Sequence, residues 1–297
     1  MDDDPEAAEQ AVTTVVMTRD RRESLLETLT RLQGPVIVVD NGSGDGTVAA
    51  VAALARPGTT VIALRHNAGA VARNVGAARA ETPLVAFSDD DSWWAPGALE
   101  RAAELFAAHP RLALLAARLL VGEHERIDPV CEQMAAAPLG RSTDLPGVDV
   151  LGFVACGTVV RREAFLACGG FDPVVFFPGE EERLSLDLAA AGWGLAYVED
   201  VVAHHYPSPG RGDVDARALL IARNHLLTAV MRRPWPIVVR RAWAAWRDGG
   251  PRRGAVIDSI PRLPAALVRR RRVPRWVEER ALMLDSDTVG HHSGTLG

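Results

Sequence analysis

Lysine is missing from the sequence altogether: all 33 basic side chains are arginine, which reads as coding bias rather than chemistry. Cysteine is scarce. Cys131, Cys156 and Cys168 form no CxxC pair and have no histidine-rich neighbourhood, so they argue against a thiolate metal site and suit reduced, buried thiols of a cytoplasmic protein. No run of about 18 apolar residues occurs, which argues against a membrane-spanning helix. The acidic opening Met1-Asp-Asp-Asp-Pro-Glu6 does not have the pattern of a secretory signal. No internal repeat is visible. What remains is a chain of 297 residues, enough for one large α/β core or a core with a smaller appendage.

Charge is divided unevenly along it. Residues 1–209 hold 16 arginines against 30 carboxylates, a balance of -14, whereas residues 210–297 hold 17 against 8, a balance of +9. An acidic body fits the holding of a cation. A basic C-terminal part fits an anionic surface or ligand.

Short apolar runs at 12–17, 35–39, 60–64 and 84–89 read as buried strands. Between them, residues 22–32, 48–55 and 70–80 carry helical spacing. This alternation predicts a mostly parallel sheet with right-handed crossovers. A helix over 98–108 and a strand over 112–121 follow, and 122–149 reads as a polar loop. Residues 149–160 read as a strand and turn, 180–192 as a helix, and 195–202 as a last strand.

In such sheets ligands bind beyond the carboxyl ends of the strands. Thr18, Asp40 and the run Asp89-Asp90-Asp91 fall at three such ends. Adjacent carboxylates repel unless a cation sits among them, and oxygen ligands of this kind suit Mg²⁺ or Mn²⁺ shared with a substrate's phosphates.

Five segments together carry a resemblance: Val38-Val-Asp40-Asn41-Gly-Ser-Gly-Asp-Gly-Thr47, Asn67-Ala-Gly-Ala-Val-Ala-Arg73-Asn74-Val-Gly76, Asp89-Asp90-Asp91, Gly169-Gly170-Phe-Asp172 and Gly179-Glu180-Glu181. In order and spacing they resemble glycosyltransferase family 2, over roughly the first 209 residues. The resemblance implies a GT-A fold, a Rossmann-like mostly parallel sheet flanked by helices. It also implies inverting transfer of a sugar from a nucleotide diphosphate donor to an acceptor hydroxyl. On it, Asp40 would receive the nucleobase, and Thr18, Asn41, Arg73, Asp89 and Asp90 would bind the nucleotide sugar. Asp91, with Asp89, would ligate Mn²⁺ or Mg²⁺, and His204 or His205 would add a ligand, the spacing favouring His205. Glu181 aligns with the family's catalytic base, with Glu180 as the alternative. The family residue is Asp, one methylene shorter, and Arg183 replaces a usual acid. Trp93, Trp94, Gly157 and Gly170 would lie on the acceptor side.

Residues 210–284 read as a basic, Arg- and Trp-rich helical region, and 285–297 as a disordered tail. Three readings of the basic region stand: peripheral contact with the inner face of a membrane near lipid-linked acceptors, packing on the catalytic domain, or a homodimer contact. No nucleic-acid-binding module is recognisable. Two rival functions remain, a sugar nucleotidyltransferase, which also uses paired Asp and Mg²⁺, and a non-catalytic nucleotide-sugar-binding scaffold.

Overall fold

The computed structural model describes residues 11–207 and 214–293. The first half is a repeating strand–helix unit: β1 (Val12–Thr18), α1 (Arg22–Arg31), β2 (Val36–Asp40), α2 (Thr47–Leu54), β3 (Thr59–Ala63), α3 (Val71–Arg79) and β4 (Leu84–Asp89). β1, β2 and β4 are apolar on both faces because helices cover both. Val15, Val16, Val38, Val39, Val85 and Phe87 are all fully buried.

The second half adds β5 (Ser92–Trp94), α4 (Ala98–Ala108), β6 (Leu112–Val121), β7 (Arg126–Ile127), α5 (Pro129–Ala135), β8 (Val148–Asp149), β9 (Thr158–Arg161), α6 (Arg162–Ala167), α7 (Glu181–Ala190) and β10 (Gly194–His205). The sheet runs β3-β2-β1-β4-β9-β6-β10-β5. Six of its ten strands point the same way; β9 and β5 run against them, as do the short β7 beside β6 and β8 beside β10. The sheet is therefore mostly parallel, as the alternating pattern predicts.

Register decides what meets at the sheet's carboxyl edge. Thr18 lies opposite Asp40, and Met17 opposite Asp89. β10 continues three residues past the predicted strand to His205, through a register shift between Val198 and Val202 that leaves Glu199 and Asp200 exposed. The stretch 122–149 is not all loop. Asp128 caps α5 by accepting from the Val130 amide, with Pro129 in the first turn where a missing N–H costs nothing.

The basic region forms α8 (Val214–Arg232), α9 (Trp235–Asp248), α10 (Gly250–Ser259), α11 (Leu263–Val268) and α12 (Arg275–Ser293). A second apolar cluster joins Leu227, Val230, Met231 and Val238 to Val174 and Val175, and Val273, Val277 and Ala281 enter the main core. The tail expected from residue 285 starts inside α12 instead, and residues 294–297 lie outside the described part. Asp285 is held by Arg233 at 3.1 Å, Arg240 at 2.8 Å and Arg241 at 3.1 Å. Arg233, 1% exposed, also holds Glu278 at 2.6 Å.

Removing one member of such a buried ionic group leaves the others desolvated and unmatched. Arg233→Ala is therefore expected to cost about 3–5 kcal/mol. Urea unfolding, compared with exposed Arg275→Ala as control, checks this; equal midpoints for the two variants would refute it.

Candidate functional site

The strand-end residues and the start of α7 enclose a cleft of about 390 Å³. Thr18, Asn41, Arg73, Asp89, Asp90, Asp91, Glu181 and His205 line it, with Ala155 and Cys156 from the turn before β9. Among the lining residues that sequence reasoning missed are Arg19 and Arg21, Phe177 and Arg217. The first two follow a strand end directly, which is a usable signal. Arg217 comes from α8, and nothing distinguishes it in sequence from the other arginines there.

The three aspartates have three different environments. Asp89 accepts from Arg73 Nη2 at 2.6 Å. Asp91 faces His205, with Oδ1 and Nε2 3.3 Å apart. Asp90 accepts from the Thr18 hydroxyl at 2.9 Å, while its backbone carbonyl accepts from Ser24 and Thr28 of α1, each at 2.8 Å. Burial, then the charges of Asp89 and Asp91, push the Asp90 carboxyl up to about 7, against the Thr18 hydrogen bond.

Arg73 lies on α3 and is 1% exposed. Its other terminal nitrogen reaches Glu180 Oε1 at 3.2 Å, so one guanidinium spans the end of β4 and the start of α7. Glu180 is buried and its second oxygen has no hydrogen-bond partner. Burial raises its carboxyl, with Glu181's charge adding and Arg73 opposing. Glu181 is partly exposed and borders the cleft. Its carboxyl is raised by desolvation, against a backbone hydrogen bond and the charges of Arg73 and His225.

Asp40 is 2% exposed. Its Oδ2 accepts from the Ser43 amide at 3.1 Å, and its Oδ1 has no hydrogen-bond partner. Asn41 serves the backbone: it accepts from the Ala68 amide at 2.7 Å and donates to the Gly69 carbonyl at 3.1 Å, fixing the loop before α3.

Other expected site residues lie elsewhere. His204 alternates to the opposite face of β10, stacks on Trp93 with centroids 5.5 Å apart, and has Nδ1 3.3 Å from Glu125. The Trp93 ring is also engaged by Arg31 at 4.0 Å and Tyr206 at 4.7 Å, beside a second hollow on the far side of Asp91. Trp94 is buried away from the cleft with Val12, Leu32 and Leu99. Gly157 sits under Leu119, and Gly170 sits against Asn74, where a Cβ would fall 2.4 Å from Oδ1. Neither glycine lines the cleft.

Among the described residues no three His, Cys, Asp or Glu side chains come together as a metal cluster. Asp91 and His205 are a converging pair. One carboxylate oxygen and one imidazole nitrogen form a donor set that fits Mn²⁺ when phosphate oxygens complete the sphere.

Among solved structures, the mannosyltransferase PcManGT from Pyrobaculum calidifontis, in complex with GDP-Man and Mn²⁺, matches with TM-score 0.56 and 21% identity, over 94% of this chain and 75% of that one. Residues 1–349 of S. aureus TarS, in complex with UDP-GlcNAc, match with TM-score 0.58 and 14% identity, over 93% and 87%. At these identities the likeness is one of fold. No curated protein matches the sequence. The family model described as glycosyl transferase family 2 matches residues 13–168, from β1 into α6. That stretch is more than half of the sequence and supplies every strand-end carboxylate of the cleft, so the chain belongs to glycosyl transferase family 2 and is a glycosyltransferase.

Proposed function

We propose that the protein transfers a sugar, with inversion, from a nucleoside diphosphate donor to an acceptor hydroxyl, assisted by a divalent cation. The observation that carries this is the cleft itself: Asp91 with His205 at one side, Glu181 at the other, and Arg73 bridging Asp89 to Glu180 between them. The solved structures above that hold GDP-Man or UDP-GlcNAc, one of them with Mn²⁺, support a donor and a metal of these kinds.

In this reading Asp40, which is buried behind the cleft lining and whose Oδ1 has no hydrogen-bond partner, accepts from the nucleobase. Arg19, Arg21 and Arg217 supply positive charge toward the diphosphate. Asp91 and His205 would hold Mn²⁺ or Mg²⁺, which stabilises the charge that builds on the departing nucleoside diphosphate. Glu181 takes the acceptor's proton as its oxygen attacks the anomeric carbon, because a neutral alcohol is a weak nucleophile. Glu180 keeps Arg73 in place and does not touch the acceptor. Nucleoside diphosphate release from a panel of UDP- and GDP-sugars with Mn²⁺ tests the reading. Nucleotidyltransferase chemistry would release pyrophosphate instead, and a binding scaffold would bind donor without release.

Asp91→Ala should abolish the part of nucleoside diphosphate affinity that depends on Mn²⁺. Calorimetric titration of UDP and GDP, with Mn²⁺ and with chelator, reads this out; an unchanged metal dependence in the variant would refute the assignment.

Glu181→Gln should lower turnover about 100- to 10,000-fold and leave donor affinity intact, as loss of a positioned base does. Glu180→Gln should instead weaken donor binding through a displaced Arg73, with a smaller effect on turnover. Measuring turnover and donor affinity for both variants separates the roles, and the opposite pattern would exchange them.

A base works only as the carboxylate, so activity must fall as pH drops through its pKa. Because desolvation raises Glu181, the acid limb of kcat/KM is expected above the ordinary Glu value of 4.5. A limb at or below that value would argue against Glu181.

A further inference from the structure

The two faces of α9 differ in character. Ile237, Val238 and Arg241 turn inward, Arg241 reaching Glu182 of α7 at 2.8 Å. Trp235, Val239, Trp243 and Trp246 turn outward and are 52%, 65%, 65% and 44% exposed. At 3.6 residues per turn these four positions fall within an arc of about 80°, a single stripe of large apolar side chains. Stripes of this kind mark interaction surfaces, whereas single exposed apolar residues do not.

The rim of the stripe is cationic. The Arg270 guanidinium lies 4.2 Å over the Trp235 ring at one end, and that of Arg253 lies 5.2 Å over Trp246 at the other. Exposed Leu267 and Val268 adjoin the Arg270 end. Among the described residues, Arg247, Arg253, Arg270, Arg271 and Arg272 have no carboxylate partner. The nearby acids are already engaged: Asp248 by Arg252 at 2.7 Å, Asp258 by Arg223 at 2.8 Å and Glu279 by Arg275 at 2.8 Å.

We propose that this face docks on a bilayer surface that carries anionic phospholipid. Tryptophan suits the boundary between headgroups and acyl chains, with its ring in the apolar layer and its N–H at the wet side. Arg270 and Arg253 donate to the backbone carbonyls of Val230, Arg233 and Trp246. The exposed Arg271 and Arg272 that follow Arg270 are left to meet lipid phosphates. No helix of the described residues is long and apolar enough to cross a membrane, so the contact is one of a face lying on the surface. A second copy of the chain fits less well, because a two-fold contact through this face would bring one cationic rim against another.

The test is co-sedimentation of the full chain with phosphatidylcholine vesicles, alone or mixed with phosphatidylglycerol. The chain should bind the mixed vesicles, and binding should weaken as salt rises, because the attraction is screened. Val239→Ser with Trp243→Ser should weaken binding about tenfold or more, through lost apolar burial. Arg271→Gln with Arg272→Gln, outside any helix, should weaken it by about fivefold for each arginine. Both variants should keep the wild-type circular dichroism. The proposal is overturned if wild type binds neutral and anionic vesicles equally, or if both double variants bind as wild type does. It is also overturned if light scattering shows a dimer that Val239→Ser with Trp243→Ser dissociates while vesicle binding stays the same.

Discussion

A guanidinium removed from water costs several kcal/mol unless charge and hydrogen bonds are returned to it. Arg73 is 1% exposed, and its two terminal nitrogens are met by Asp89 and Glu180, 107 residues apart in sequence in the second case. This requirement fixes the distance from the end of β4 to the start of α7, and hence the width of the cleft. It also answers the repulsion expected of three adjacent carboxylates. Asp89 has Arg73, Asp91 faces His205, and Asp90, buried beside the Thr18 hydroxyl, is raised to about 7 and so carries its proton part of the time near neutrality.

Much of this was legible in the sequence, and the reasons are particular. β1, β2 and β4 are buried on both faces, so they appear as uninterrupted apolar runs, and the acidic residues that end them stand out. α4 and β6 begin and end at the predicted residues because amphipathic and continuous apolar patterns run their full length. β5 went unread: three residues are too few to show a period, and its pairing partner is the end of β10, over a hundred residues away. α6 is six residues long and follows β9 without a break. The reversed direction of β9 has no signature in its own residues, since it is set by pairing with β4 and β6. In the site, residue types and strand ends were readable, but partnership was not. Nothing local to Arg73 or Glu180 indicates that each lies against the other; spacing favoured His205 over His204 for the cleft, but not that His204 stacks on Trp93.

The C-terminal helices combine two functions that the charge count alone merges into one. Part of their arginine lies inside the molecule. Arg232 meets Asp187 of α7, which Arg183 of the same helix also holds, Arg233 meets Glu278 and Asp285, and Arg241 meets Glu182 and Asp285. These contacts join the helices to α7 and to one another. Other arginines lie at the exposed stripe of α9, Arg270 over Trp235 and Arg253 over Trp246. A single helix thus carries an inner face committed to the enzyme core and an outer face open to a surface.

Three glutamates in succession open α7, and chemically they are the same residue. Their neighbours make them different: Glu180 is gripped from the sheet side by Arg73, Glu182 from the opposite side by Arg241, and Glu181 stands between them at the cleft. Two arginines from opposite walls thereby set the rotation of the helix about its own axis. An insertion or deletion of one residue inside α7, between Glu182 and Leu184, would turn the glutamates by about 100° relative to the buried face at Leu184 and Leu188, carrying a different glutamate to the cleft and breaking both grips. The segment can therefore change length only with great difficulty. Glu182 and Arg241 are thus tied to one another, with Arg233 and Asp285 completing the same ionic group, whereas Glu181 is left facing the cleft.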